Sequence, residues 1–311
     1  MCIRDSNDTL FVPSGTTVYI DGGARVYGNI FTEGAHDVNI FGRGEVHPDG
    51  RGAGVWVRRS KNVRIDGIVV SQLPIGQCDS VELTNVKSIS YYGWGDGMDV
   101  FSSSNVILDG VFCRNSDDCA AVYASTQGFK GGSNNVLVKN ATLWADVAHP
   151  INIGGHGDPN GMDTVQNVTF RNIDILDQAE KQIDYQGCLA INPGDNTLVR
   201  NITFENIRIE DFRNGQLVNF RISFNPKYCV STGRGIQNVL VKDVTYNGSG
   251  ENLSIIAGYD ENHKISGIRF VNLVVNGRKI TDDMPGKPKW YKTGDMAGIF
   301  VGEHVENLSF E

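Results

Sequence analysis

The sequence has no apolar run long enough to cross a membrane and no cluster of lysine and arginine. Its 28 basic residues are outnumbered by 36 acidic residues, which gives a net charge of −8. This charge would repel a phosphate backbone, so we expect neither a nucleic-acid partner nor a membrane partner. The six cysteines lack the Cys-x-x-Cys spacing of metal sites. We therefore expect no bound metal and no cofactor.

The beginning of the chain lacks a recognisable secretion signal. Met1–Ser6 belongs neither to a signal peptide nor to the pattern that fills the later sequence. We predict a disordered or foreign N-terminal segment at residues 1–17 and one domain at residues 18–311. Since the chain stops at Glu311 inside a copy of the recurring pattern, we expect this domain to be truncated at both ends.

A short phrase recurs through most of the chain, in the form Asn–apolar–x–apolar–x–Asn/Asp/Gly–apolar. The clearest copies begin at Asn62, Asn105, Asn135, Asn167, Asn201 and Asn238. Neighbouring copies start between 20 residues apart (85 to 105) and 40 residues apart (267 to 307). Self-similarity on this scale is typical of solenoids. Within each copy, the alternation of apolar and polar residues indicates a strand that buries one face.

These strands are short, rich in Val, Ile, Thr and Phe, and separated by Gly, Asn and Asp, which leaves no room for helices between them. One phrase returns after a full circuit, whereas hairpins would need two-residue turns at closer intervals. We predict an all-β fold, a single-stranded right-handed parallel β-helix of about ten coils, with a rise of ~4.8 Å per coil. The repeated asparagines are expected to form a hydrogen-bonded ladder.

Aspartates are concentrated in two consecutive coils. Asp96 and Asp99 lie in Trp94-Gly-Asp-Gly-Met-Asp, and the pair Asp117-Asp118 follows after an interval of 117 − 96 = 21 residues. If that interval is about one coil, Asp96 and the pair lie on the same face of neighbouring coils. Isolated Asp-Gly and Ser-Asp steps are often simple turns. An adjacent aspartate pair beside a strand brings no folding benefit, however, so it indicates function.

Carboxylates held close together raise the pKa of one member, which can then keep its proton. Cleavage of a glycosidic bond needs this combination, because one carboxyl group protonates the leaving oxygen and another, ionised, activates water. The aspartates therefore predict a glycoside hydrolase.

The same segments resemble the pectin-lyase-like β-helix glycoside hydrolases, in particular family 28, the polygalacturonases. Trp94-Gly-Asp-Gly-Met-Asp99 is similar to the first aspartate motif of that family without its Asn-Thr, and Asn115-Ser-Asp-Asp-Cys119 is similar to the second. The resemblance implies an inverting mechanism in which Asp117 is the general acid and Asp96 and Asp118 activate water.

Two histidines are candidates for the single histidine of that family. Gly155-His156-Gly157 matches the family triplet literally, but it follows the strand that the family histidine precedes. His149, in His149-Pro-Ile-Asn-Ile-Gly154, stands before that strand, so we take His149 as the catalytic counterpart and His156 as a substrate-binding candidate in the next loop.

The Arg-x-Lys motif, which grips the uronate carboxylate in family 28, is absent from Gly187-Cys-Leu-Ala-Ile-Asn192. The sequence also resembles family 49, the dextranases and isopullulanase, which act on neutral glucans. One of the phrases in this chain that resemble family 49 is Leu217-Val-Asn-Phe-Arg-Ile222. Both families stay open, and we expect a neutral or atypical polysaccharide rather than galacturonan. Arg221 is a candidate substrate contact or a solvated arginine at a rung edge.

Three further side chains near the acids are candidate substrate contacts, namely Trp94, Asp99 and Tyr123. Aromatic rings can stack on the apolar face of a sugar, although they can equally be core residues. Two other functions remain open: a Ca²⁺-dependent polysaccharide lyase and a non-catalytic carbohydrate-binding β-helix. We expect a monomer with a polysaccharide or oligosaccharide substrate, and from that substrate class a secreted or periplasmic protein.

Overall fold

The computed structural model describes residues 8–48, 50–250 and 252–311. In these ranges almost all regular structure is β-strand, arranged in two sheets that wind along one axis. Sheet A has eleven strands, one from each successive circuit. They are Thr9–Phe11, Asn29–Glu33, Val55–Arg58, Ile75–Gly76, Met98–Phe101, Ala120–Tyr123, Ile151–Ile153, Leu189–Ile191, Val218–Arg221, Ser254–Ala257 and Ile299–Val301.

Sheet B has seventeen strands and forms the remaining walls of the coil. They are Thr17–Ile20, Arg25–Tyr27, His36–Gly42, Glu45–His47, Lys61–Asp66, Val69–Val70, Asp79–Thr84, Lys87–Ile89, Ser104–Asp109, Phe112–Asn115, Asn134–Ala145, Thr164–Gln178, Leu198–Ile209, Gly235–Tyr246, Ile265–Val275, Arg278–Ile280 and Val305–Phe310. The named strands pair in parallel, except that Arg278–Ile280 turns back on Ile265–Val275 as a hairpin. The predicted all-β, right-handed parallel β-helix is confirmed, and the described part of sheet A spans eleven circuits where about ten coils were expected.

Inward-facing side chains fill the coil with stacked aliphatic residues. Val63, Val81, Val106, Val136 and Val168 occupy one register position in five successive coils and are fully buried. Because each strand alternates its side chains, the polar residues between them face solvent. Each strand packs one face against the core, which explains the alternation of apolar and polar residues in the recurring phrase.

The predicted asparagine ladder is present on the outside of sheet B. Asn135 donates to Asn105 at 2.7 Å, Asn201 donates to Asn167 at 3.1 Å, and Asn238 donates to Asn201 at 3.3 Å. These asparagines have φ angles between 56° and 58°. Asparagine tolerates this left-handed conformation better than most residues, so it can turn the chain and bond the next coil at once.

The repeat fold begins earlier than the predicted boundary at residue 18. Thr9–Phe11 already pairs with Asn29–Phe31 in sheet A. The recurring phrase marks strands of sheet B and has no counterpart in sheet A, which is why this first strand was not recognised. Residues 1–7 of the predicted N-terminal segment lie outside the described residues.

Helical structure is confined to a 3₁₀ turn at Ile183–Tyr185 and a short helix at Thr293–Met296 within the described residues. No helix in this part of the chain has the length and apolar character needed to cross a bilayer. Loops join the successive coils and shape the outer surface of sheet A. A cleft of about 450 Å³ lies on this surface, over the middle coils.

Candidate active site

The register of sheet A brings the predicted aspartates together in this cleft. Met98 pairs with Ala120, so one coil here is 120 − 98 = 22 residues, one more than the interval used for the prediction. On this register Asp96 stands opposite Asp118, and Asp117 lies beside them. One carboxylate oxygen from each of the three aspartates lies within 4.8 Å of the others.

Close approach of the two coils makes this cluster possible. At Gly97 an added Cβ would stand 2.2 Å from the carbonyl oxygen of Cys119, so a side chain there would push the coils apart. Asn115 lies fully buried beneath and donates through Nδ2 to the carbonyl of Asp96 at 3.1 Å and to the hydroxyl of Ser90 at 3.0 Å. The backbone that carries Asp96 is thus tied to the coil that carries Asp117 and Asp118.

Asp118 is buried and accepts four hydrogen bonds. His149 donates to its Oδ1 from the backbone N–H at 3.0 Å, and the ring Nδ1 lies 2.7 Å from the same oxygen. Its Oδ2 accepts from Asn152 Nδ2 at 2.8 Å and from the hydroxyl of Tyr123. Burial by itself would raise the pKa of Asp118, but the charge and hydrogen bond of His149, aided by Tyr123 and Asn152, lower the pKa to about 2.

Asp117 is shifted in the opposite direction. Burial, followed by the negative charge of Asp118, raises the pKa of Asp117 to about 7, against a smaller lowering by the hydrogen bond from the Asp118 N–H and by His149. Burial and the neighbouring carboxylates also raise the pKa of Asp96 and of Asp99. The surroundings therefore shift two adjacent carboxyl groups in opposite directions, favouring the protonated form of Asp117 and the ionised form of Asp118.

Both candidate histidines lie in the cleft. The His149 ring is 1% exposed, and its Nε2 is buried at the cleft without a hydrogen-bond partner among the described residues. His156 lies edge-on to the ring of Tyr123, with centroids 5.1 Å apart. Burial lowers the pKa of His156 in spite of the opposing charges of Asp195 and Asp118.

The candidate substrate contacts are placed differently from one another. Trp94 is 71% exposed at the cleft wall, which suits contact with a sugar. Tyr123 is only 7% exposed, its ring stacks on Phe101, and its hydroxyl bonds Asp118, so it acts on the site through Asp118. Asp99 is buried beneath the cleft, with Oδ1 lacking a partner among the described residues.

Arg221 does not line the cleft. Its Nη1 lies 3.2 Å from Oδ1 of Asp184, a residue of the cleft wall, so the arginine is held at the edge of the site. Asn192, which follows the strand Leu189–Ile191, lines the cleft, and Ala190 of that strand is the register partner of the cleft residue Asn152. The resemblance to family 28 implies a basic pair in this segment, and neither residue carries a charge.

Sequence reasoning did not single out several residues of the cleft. Asn152 bonds both Asp118 and Tyr123. Glu180 is buried and accepts from the N–H of Ala148 at 3.0 Å, next to His149. Asn152 lies between two core isoleucines of a strand. A polar residue on the outer face of a strand next to the aspartate coil could have indicated a role in the site. Glu180 lies in a variable loop and had none.

Three clustered carboxylates are also a ligand set of the kind that a hard cation prefers. In this cluster, however, both oxygens of Asp118 already accept two hydrogen bonds each, which leaves them poorly placed to bind a cation. The arrangement fits proton transfer better than metal binding.

The chain is similar to known proteins over most of its length. A family model described as "Glycosyl hydrolases family 28" matches residues 55–284, a range that includes every candidate residue named above. The chain is 26% identical over 216 residues to a polygalacturonase of Juniperus ashei, covering 67% of this chain and 39% of that protein. It is also 26% identical over 323 residues to a probable endopolygalacturonase D of Aspergillus flavus, covering 93% of this chain and 58% of the relative. The chain spans about half the length of the curated relatives it matches.

Two solved structures share the fold. A family 28 exopolygalacturonase of Yersinia enterocolitica superposes with a TM-score of 0.65 at 14% identity, covering 96% of this chain and 70% of that one. A polygalacturonase from Erwinia carotovora gives a TM-score of 0.62 at 14% identity, covering 94% and 85%. At this identity the likeness concerns the β-helix itself.

Proposed function

The chain belongs to glycosyl hydrolase family 28, and from that premise we propose that it hydrolyses glycosidic bonds of a polysaccharide in the cleft over sheet A. The observation that carries the proposal is the opposite pKa shift of two adjacent aspartates, Asp117 raised to about 7 and Asp118 lowered to about 2. A protonated carboxyl group beside an ionised one is the pairing that acid–base cleavage of a glycoside requires.

In the proposed reaction Asp117 donates its proton to the leaving oxygen. Asp96 and Asp118 activate the attacking water: the ionised form of Asp96 takes up its proton as the water bonds to the anomeric carbon and the bond to the leaving oxygen breaks, and the charge of Asp118 stabilises the positive charge that develops on the water. His149, Tyr123 and Asn152 are outside this proton transfer; they hold Asp118 in place and keep it ionised. Asp96 starts with a raised pKa, which makes its ionised form a stronger base.

We propose inversion at the anomeric carbon, as the family resemblance implies. The separation of the carboxylates favours retention as a second candidate. The three carboxylates offer oxygens within 4.8 Å of one another, whereas the two carboxyl groups are typically ~6.5–9.5 Å apart in inverting enzymes and ~5–5.5 Å apart in retaining enzymes. The two outcomes are separated by ¹H NMR of the first product formed in D₂O. Inversion is expected, and retention of the starting configuration would refute it.

For the substrate we propose a neutral or weakly charged polysaccharide. Six acidic side chains line the cleft, and Lys227 is the one lysine or arginine among the described residues that line it; the acids are Asp96, Asp99, Asp117, Asp118, Glu180 and Asp184. A polyuronide would be repelled by this lining and would find Ala190 and Asn192 in place of a charged grip. The names of the relatives make polygalacturonate the second candidate.

The test is release of reducing sugar from polygalacturonate, dextran and pullulan by wild type and by Asp117→Asn. We expect cleavage of a neutral chain, loss of at least about a thousandfold in rate in the variant, and no ultraviolet-absorbing unsaturated product. Full activity in Asp117→Asn would overturn the assignment of the acid. Unsaturated products that vanish with chelator would indicate a lyase, and cleavage of polygalacturonate alone would refute the neutral substrate.

We further propose that the protein acts as a monomer outside the cytoplasm, secreted or periplasmic, because a polysaccharide substrate is met there. Light scattering after size exclusion would check the first point, and a dimer mass would contradict it.

A further inference from the structure

Three aromatic side chains lie on the outer face of sheet A, in the coils before the aspartates. Phe11, Phe31 and Trp56 are register partners on successive strands. Their ring centroids are 5.9 and 6.0 Å apart. Phe11 is 68% exposed and the other two are half-buried. We call these three residues the aromatic row.

The aromatic row is aligned with the acids of the cleft. Val57, Ile75 and Val100 are register partners on three successive coils, and Trp56 and Asp99 immediately precede the first and the last of them. Because side chains alternate between the faces of a strand, Trp56 and Asp99 lie in one outward row, two coils or ~10 Å apart. A chain that runs along sheet A from the acids therefore passes over the aromatic row.

Loops flank this path at both ends of the strands. Phe129, in the loop that follows Ala120–Tyr123, covers Gly76, where an added Cβ would lie 2.2 Å from its ring. The guanidinium of Arg58 stands 5.4 Å from the same ring. On the opposite side, Gln72 Nε2 donates to the carbonyl of Trp94 at 2.9 Å, which ties the exposed tryptophan loop to the preceding coil. Loops thus flank the line from the aromatic row to the acids on both sides.

We propose that the aromatic row binds the part of the polysaccharide chain that extends beyond the cleaved bond, an inference that rests on the proposed function for the identity of the occupant. A pyranose ring has apolar C–H faces that pack against aromatic side chains, and its length is close to the rise of one coil. The row therefore offers contact to sugars two to four coils away from Asp99. The guanidinium of Arg58 lies 5.7 Å from the centroid of the Trp56 ring and is paired with Glu33 at 3.2 Å, so the charges beside the row offset each other and suit an uncharged occupant.

The experiment compares wild type, the double variant Phe11→Ala/Phe31→Ala and Trp56→Ala. Native affinity electrophoresis in gels that contain polygalacturonate, dextran or pullulan measures binding, and reducing-sugar release from each polymer and from its trisaccharide measures hydrolysis. The matched control is Tyr19→Ala, because Tyr19 is an exposed aromatic residue of sheet B whose ring packs against Phe41, with centroids 5.1 Å apart, away from the aromatic row.

We expect both row variants to bind the polymer roughly five- to tenfold more weakly. The double variant should cleave the trisaccharide at the wild-type rate, because a trisaccharide bound at the acids does not reach three coils away, and Tyr19→Ala should match wild type in every assay. The inference is overturned if the row variants bind the polymer as tightly as wild type, or if Tyr19→Ala loses binding equally.

The same measurements separate this inference from the proposed function. If wild type cleaves a polymer while the row variants bind it normally, hydrolysis stands and the row is refuted. If wild type binds a polymer through the row but releases no sugar from any of the three, the row stands and the hydrolytic function fails.

Discussion

Replacement of Asp117 and of Asp118 by asparagine should change stability in opposite directions, although the two residues are neighbours in the chain. Asp117 has a folded pKa of about 7 against an ordinary value of 3.8. Because folding raises the pKa of this carboxyl group, its ionisation destabilises the folded protein. The stability that the group contributes is fully present below pH 3.8 and is lost as the pH rises through 7.

The size of this effect follows from the shift. A difference of 7 − 3.8, about 3 units at 1.36 kcal/mol each, is about 4 kcal/mol of unfolding free energy lost above pH 7. Since Asp117 is half-buried and solvent screens part of its charge, we expect about 2–4 kcal/mol. Asp117→Asn removes the ionisation and keeps the oxygen that accepts from the Asp118 N–H. The variant should thus be more stable than wild type at pH 8 and equal to it near pH 4.

Asp118 behaves in the reverse manner. Its pKa is lowered from 3.8 to about 2, so it contributes stability above pH 3.8 that is lost as the pH falls through 2. The shift of about 2 units corresponds to about 2.5 kcal/mol, and Asp118→Asn should lose at least that amount at pH 7, because its amide also faces the donors of His149 and Asn152.

The assay is urea unfolding of wild type and both variants, followed by circular dichroism at pH 4, 6 and 8. The reasoning is refuted if Asp117→Asn is no more stable than wild type at pH 8, or if its gain is the same at pH 4. Equal destabilisation by the two substitutions would show that the two carboxyl groups are not divided into a protonated and an ionised member.

Three other predictions concern the pH profile, the surroundings of the site and the coil itself. Activity of wild type should fall above about pH 7 as Asp117 loses its proton, and Tyr123→Phe, which removes a donor to Asp118, should lower kcat/KM about tenfold and move the acidic limb of the profile upward; an unchanged acidic limb would contradict the role of Tyr123. Asn201→Ala should cost about 2–3 kcal/mol of stability, because alanine is strained at the φ of 57° and two ladder bonds are lost. Asn201→Gly should lose less, since it keeps the conformation, and thermal unfolding of both variants gives the comparison.

Features that repeat within one coil could be predicted from the sequence. The alternation in copies such as Asn135–Ala141 fits a strand buried on one face, and the return of the phrase fits a parallel coil in preference to hairpins. The same phrase predicted the asparagine ladder, which Asn135 and Asn105 form. The adjacent carboxylates Asp117 and Asp118 indicated chemistry because nothing in folding favours two like charges side by side.

Features that depend on the contact between coils could not be predicted in this way. The interval between register partners in sheet A ranges from 75 − 57 = 18 residues to 301 − 256 = 45 residues, because loops of different length join the coils. The alignment of Trp56 with Asp99 was therefore not visible. The start of the fold was placed too late, after Thr9–Phe11, because the recurring phrase has no counterpart in sheet A. Tyr123 was expected as a possible platform for a sugar, yet its hydroxyl is committed to Asp118.

The sequence by itself determined that the chain coils with a buried strand in every turn and carries its acids on two neighbouring coils, since both follow from local periodicity and a short interval. Only the tertiary structure decided which acid is ionised. At Asp117 burial outweighs the other influences and raises the pKa. At Asp118 the charge and hydrogen bond of His149, 31 residues further along the chain, help to outweigh burial and lower the pKa. The pKa of a side chain is set by all the groups packed around it. In this fold those groups come from neighbouring coils, and the repeated phrase does not predict how many residues each coil contains.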